Sequence, residues 1–266
     1  MITLNDAFTR TRENNRKALM PFLTSGYPSQ TTFIKLMNEM SLSGADIIEV
    51  GIPFSDPMAD GKTIQYSSEA ALKNGIDINI TFKMLRQLDD GFNSAVVIMS
   101  YFNPIYQFGI GRFFKEATQI GINGLIIPDL IPDEGYEIEQ LAKDYDLNLI
   151  YLLAPTTNKE RQAMILRHSR GFIYLVTMAG VTGARAGLPV NLNELLEEIK
   201  ELSPIPVCAG FGISKLSQVR DIARYADGVI VGSALIDKIK SAKSEKAIIT
   251  EIGMFIRHLK GGLGNE

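Results

Sequence analysis

Residues 46–61 read Asp46 Ile47 Ile48 Glu49 Val50 Gly51 Ile52 Pro53 Phe54 Ser55 Asp56 Pro57 Met58 Ala59 Asp60 Gly61, an apolar run that holds one acid, followed by a proline-rich segment that ends in another. Pro53 and Pro57 fix φ and remove amide donors, and Gly51 and Gly61 bracket the segment, so 52–60 is a loop leaving the end of a strand. Alternation along that strand puts Glu49 on the face of Ile47, opposite Ile48 and Val50. A carboxylate is thereby aimed into an interior, a costly place for it unless it is used or paired.

Similar runs recur at 18–24, 95–101, 124–129, 147–153, 172–177, 205–210 and 227–232, which with 46–51 makes eight. Each is too short for a buried helix, rich in Ile, Val, Leu and Phe, and without clean polar alternation, as expected of parallel strands covered on both faces. Amphipathic stretches alternate with them at 31–43, 81–90, 111–120, 133–145, 159–169, 191–202 and 215–225. Eight βα units in a chain close to the usual length of about 250 residues predict an α/β fold of the (β/α)8 TIM-barrel kind, one domain over 1–266. A doubly wound sheet is the alternative, but the first βα turn, Ser25 Gly26 Tyr27 Pro28, has no GxGxxG fingerprint. The glycine-rich end, 261–266, is expected to fray.

With a net charge of −3 and basic residues scattered along the chain, neither nucleic acid nor an anionic membrane is expected as a partner, although a small anion at a local site is compatible. The first twenty residues lack the apolar core of a signal peptide and no apolar run reaches about 18 residues, so a cytoplasmic protein is expected. The single cysteine, Cys208, excludes an internal disulfide and reads as a buried spectator. Two histidines in helical stretches, His168 and His258, give no zinc pattern, and no metal is expected.

A barrel carries its active site at the C-terminal ends of its strands. The unusual polar residues fall there: Glu49 closes the second run, Tyr101 the third and Asp129 the fourth, while Tyr174 lies late in the sixth. Glu49 and Asp60 suit an acid/base pair, one carboxyl raised in an apolar mouth and the other kept ionised on a wetter loop. The alternative is that Glu49 pairs with a lysine or accepts backbone bonds, and that Asp60 caps a loop. After the seventh run comes Gly210 Phe211 Gly212 Ile213 Ser214, and after the eighth Gly232 Ser233 Ala234, each leading into a helix. Free amides at helix N-termini, with no Cβ in the way, favour a phosphate, and the Ser233 hydroxyl adds a donor. Tight turns with a capping serine are the plainer explanation of either turn taken alone. The loop 178–189, with three glycines in eight positions, suits a lid that excludes water, in which Gly183 adds an amide to the cradle; an ordinary surface connection is the alternative.

Residues 49–61, 101–104, 180–183, 210–213 and 232–233 together resemble the tryptophan synthase alpha chain family, and the likeness covers nearly the whole chain. The resemblance implies a lyase that splits indole-3-glycerol phosphate by a retro-aldol route into indole and glyceraldehyde 3-phosphate; a free-standing indole-releasing lyase and a silent activating subunit are the other possibilities. It makes Glu49 the acid/base group and Asp60 the acceptor of the indole N–H. It places Phe22, Tyr101, Asp129 and Tyr174 around the indole or in support of Glu49, sets Thr182 on the lid to position Asp60, and has Gly183, Phe211, Gly212, Gly232 and Ser233 hold the phosphate. A beta-chain partner that uses pyridoxal phosphate is implied, in an α2β2 tetramer, with no cofactor in this chain. Lys62 stands where bacterial members carry proline, and a lysine beside Asp60 is expected to depress its pKa.

Overall fold

The computed structural model describes residues 1–176, 192–210, 212–213 and 215–264. Its strands are β1 (Ala18–Thr24), β2 (Ile47–Gly51), β3 (Ala95–Met99), β4 (Gly124–Ile126), β5 (Asn148–Ile150), β6 (Leu152–Leu153), β7 (Ile173–Val176), β8 (Val207–Gly210) and β9 (Gly228–Val231). Every pairing among them is parallel, in the order β5-β4-β3-β2-β1-β9-β8-β7-β6. The two ends of that order, β5 and β6, are separated only by Tyr151, so the sheet closes on itself through one continuous stretch of chain. The eight expected runs are all present, the fifth divided at Tyr151. That ring points outward, where its hydroxyl donates to Glu139 Oε1 at 2.7 Å.

Strand alternation sorts the apolar side chains into two cores. Ala18, Met20, Ile47, Ala95, Val97, Ile126, Ile150, Phe172, Cys208 and Ile230 fill the barrel. Leu19, Leu23, Ile48, Val50, Val96 and Ile98 face the surrounding helices. The inner core also receives Leu4, Ala7 and Phe8 from a helix that the periodicity does not announce, Leu4–Glu13, with the Phe8 and Phe172 rings 6.1 Å apart. It starts on a capping box, in which Thr3 and Asp6 each satisfy the other's backbone N–H, and it closes the N-terminal end of the barrel.

Asp46, the first residue of the opening stretch, anchors that same end. It is 8% exposed, takes two bonds from Arg16 Nη1 at 2.8 and 2.9 Å, one from the Leu19 amide at 2.8 Å and one from Lys260 Nζ at 2.5 Å. A buried carboxylate is tolerable there because three donors, making four bonds, replace its water.

The expected fraying of the C-terminal end is corrected for residues 261–264. Leu263 is buried, its carbonyl accepts from Lys17 N at 3.0 Å, and Gly264 bridges Arg16. Apolar burial and two backbone pairings hold a segment that composition alone marks as loose; 265–266 lie outside the described residues.

Candidate active site

β1, β2 and β3 lie side by side with Phe22, Glu49 and Val97 in register, so Glu49 enters the interior just above the apolar layer formed by Ile47 and its neighbours. It is 1% exposed, and its Oε2 has no hydrogen-bond partner among the described residues. Burial, aided by the nearby charge of Asp60, pushes the Glu49 carboxyl up to about 8. At neutral pH it is therefore largely an acid holding its proton. Among the described residues no lysine or backbone donor bonds its Oε2, so the alternative reading of this residue finds no support there.

Asp60 reaches the site from the loop after β2. It is half-buried, and burial lifts it to about 6 against the lowering effect of a hydrogen bond from the Tyr101 hydroxyl. The expected depression by Lys62 does not occur: that side chain is exposed, and desolvation dominates. The expected contrast between the two acids survives in altered form, since both are raised and Glu49 is raised further.

Tyr101 follows β3, and its oxygen also accepts from the Ala59 amide at 2.9 Å, so one hydroxyl grips the loop and the carboxylate together. Tyr174, the second residue of β7, is buried beside both acids; burial, then the Glu49 and Asp60 charges, hold its phenol far above the ordinary range. Phe22, Thr24, Ile52, Asp60, Met99 and Tyr101 are among the residues that line a cleft beside these groups; Glu49 and Tyr174 are not in its lining. Its walls are mostly apolar, with a carboxylate at one edge. The Phe22 ring is seated against Gly51, where an added Cβ would stand 2.5 Å from Phe22 Cζ, so only glycine fits at the end of β2. Asp129 follows β4, and its Oδ1 accepts from the Phe102 amide at 2.9 Å at the start of the helix Phe102–Phe108.

β8 and β9 are neighbours, with Gly210 opposite Ile230, so the turns that follow them lie next to one another. Gly212 adopts φ +69°, a left-handed conformation natural to glycine. Gly232 caps the helix Ser233–Ser241, whose first amides have no intrahelical acceptor, and its Cα backs onto Phe22. Ser233 is half-buried at the helix start. Thr182, Gly183, Phe211 and the lid 178–189 lie outside the described residues. Three hydroxyl-bearing cleft residues, Thr24, Ser68 and Ser100, escaped the sequence reading; their only signal is a buried hydroxyl, which many structural serines and threonines share.

Fold and site together define a class, a (β/α)8-barrel enzyme with paired carboxyl groups at its mouth and adjoining glycine turns at the ends of its last two strands. The chain matches the tryptophan synthase alpha chain family over residues 8–262. It is 40% identical over 263 residues to the tryptophan synthase alpha chain of Dehalococcoides mccartyi, covering 99% of this chain and 100% of that one. With the corresponding chain of Roseiflexus castenholzii it shares 41% over 264 residues, 98% and 100% of the two lengths. A chain of Mycobacterium tuberculosis tryptophan synthase superposes with a TM-score of 0.90 at 37% identity, over 99% of this chain and 98% of that one. The chain belongs to the tryptophan synthase alpha chain family. Its reaction is the family's, the lyase cleavage of indole-3-glycerol phosphate in tryptophan biosynthesis.

Proposed function

We propose that Glu49 carries both proton transfers of this cleavage and that Asp60 stabilises the charge that builds on the ring. The observation that supports this most is the buried Glu49 carboxyl, whose Oε2 has no partner among the described residues and which is raised to about 8, beside a second acid raised only to about 6. Splitting the bond between the indole ring and the glycerol chain requires a proton on the ring carbon and the loss of a proton from the adjacent side-chain hydroxyl. Protonated Glu49 gives its proton to the ring carbon, placing positive charge on the ring nitrogen, whose N–H donates to ionised Asp60. The resulting Glu49 carboxylate takes the hydroxyl proton, the carbonyl of glyceraldehyde 3-phosphate forms, and the bonding pair returns to the ring as indole. One proton leaves Glu49 and one comes back. Two groups whose environments separate their pKa values divide the work in this way.

The apolar walls formed by Phe22, Ile52, Met99 and Tyr101 suit a flat aromatic ring, with Tyr174 behind the acids. The Gly212 and Gly232 turns and Ser233, together with Phe211 and Gly183 from the resemblance, would take the phosphate, while Thr182 would position Asp60. Ser233→Asp is expected to raise KM for indole-3-glycerol phosphate at least about tenfold through like-charge repulsion, with a smaller effect on kcat. An unchanged KM in steady-state kinetics would remove Ser233 from the phosphate site.

The family's alpha chains are named as parts of tryptophan synthase, which implies a beta-chain partner. For the docking surface we propose the loops after β2, β3 and β4. Met58, Tyr106, Ile131 and Tyr136, four of the large exposed apolar side chains, fall in the segments that follow these three adjacent strands. An α2β2 assembly in the cytoplasm, with pyridoxal phosphate held by the beta chain, completes the proposal; among the described residues no helix is long and apolar enough to cross a membrane. Indole release from indole-3-glycerol phosphate, measured with and without a beta chain, tests it. Slow cleavage that rises sharply with the partner is the expected result. Fast cleavage alone would indicate a free-standing lyase, and none in either case a silent subunit.

A further inference from the structure

Met58 is 89% exposed and Ser55, Asp56 and Ala59 are exposed with it, so burial of the loop tip cannot place Asp60. Its position has to come from anchors. One is Tyr101, which holds the Ala59 amide and the Asp60 carboxylate. Gln65 Nε2, donating to the Asp60 carbonyl at 2.9 Å, is exposed and competes with water. The anchor at the far end of the loop is Ser68, 3% exposed on the helix Lys62–Lys73.

A buried serine inside a helix ordinarily turns its hydroxyl back to a carbonyl one turn earlier. Its neighbour Ser67 does so, donating to Ile64 O at 2.8 Å. Ser68 instead turns outward: its oxygen accepts from the Phe54 amide at 2.9 Å and its hydroxyl donates to the Phe54 carbonyl at 3.2 Å. Both polar groups of one loop residue are thus held by a single side chain that also lines the cleft. The Phe54 ring then lies against Tyr101, centroids 5.2 Å apart at 32°, and Tyr101 is the residue that grips Asp60. We propose that Ser68 is a positioning residue for Asp60, acting through Phe54 and the Tyr101 ring to set where the carboxylate stands over the cleft. The inference rests on Asp60 acting as described above.

A loop released at Phe54 lets the Tyr101 ring shift and weakens its bond to Asp60. Because that bond lowers the Asp60 pKa, its loss raises it. Ser68→Ala, in the full-length chain, is expected to lower kcat by between about 10- and 100-fold with KM changed less than about twofold, since displacement harms a group needed in the transition state more than one that binds the phosphate. The acidic limb of the pH profile should move to higher pH. In an Asp60→Asn background the same substitution should cost nothing further. An equal loss in both backgrounds, or an unmoved acidic limb, overturns the inference. Normal turnover of Asp60→Asn by itself instead overturns the role of Asp60, and the inference falls with it. If Ser68→Ala does not fold, Phe54→Leu keeps the Ser68 bonds to the backbone and removes only the ring contact. The same movement of the limb is expected there, and its absence overturns the proposal.

Discussion

Glu49→Gln is expected to lower the rate of indole-3-glycerol phosphate cleavage by at least about 100-fold while leaving the fold intact, the usual cost of removing a positioned acid/base group. Glutamine keeps the volume and polarity of a protonated carboxyl but cannot surrender a proton to the ring carbon or take one from the hydroxyl. Because Glu49 is 1% exposed and its Oε2 has no partner among the described residues, the same substitution has a second signature in stability. The folded carboxyl titrates at about 8, well above its ordinary value of 4.5. Between these values the unfolded chain has lost the proton that the folded chain still holds, so rising pH drains stability through that window, on the order of a few kcal/mol in total. Below about 4.5 the contribution is fully present; above about 8 it is gone. Urea midpoints measured at pH 5 and pH 8.5 should therefore fall less steeply for the Gln variant than for the parent. Near-normal turnover would remove Glu49 from the chemistry, and parallel pH slopes would show that its carboxyl is not held protonated by burial.

The barrel and the aim of Glu49 were legible because both rest on local pattern. Fully buried parallel strands need unbroken apolar runs, and Glu49 interrupts one on its inward face. What stayed hidden depends on partners distant in sequence. The helix Leu4–Glu13 carries only three inward apolar residues among charged ones, so its role as a barrel plug emerges only when Phe8 meets Phe172. Pro104 sits in the first turn of the helix Phe102–Phe108, where its missing N–H has no intrahelical partner to lose. The division of the fifth run at Tyr151 has no sequence signal, because the Glu139 that receives its hydroxyl lies on a different element.

The electrostatics of the site show the same division. From sequence, Lys62 two positions away is the obvious influence on Asp60. In the fold the chain turns that lysine outward and brings in Tyr101 from the next strand, while closure of the cleft supplies the larger, opposite effect of burial. Asp129, read only as a strand-end acid, also accepts from the Phe102 amide after the neighbouring strand, a bond with no sequence signal. Strand ends identify where polar groups gather; the bonds made across strands decide which of them face substrate.

The two carboxyl values also predict a bell-shaped dependence of kcat/KM on pH, with limbs near 6 and near 8. The two limbs are linked, because the Asp60 charge raises Glu49. The same bell would arise if the active form were the reverse, Glu49 ionised and Asp60 protonated, so the profile alone does not assign the roles. Asp60→Asn separates them. The substitution should cost about 100-fold or more, as expected when a preorganised charge at a developing cation is lost. It should also abolish the acidic limb and, by removing the negative charge that raises Glu49, shift the remaining limb to lower pH. If Glu49 begins as the acid, the residual activity of the variant falls as pH rises through that limb. Activity that climbs with pH instead would mean that ionised Glu49 starts the reaction, and the first proton to reach the ring carbon would have to come from elsewhere.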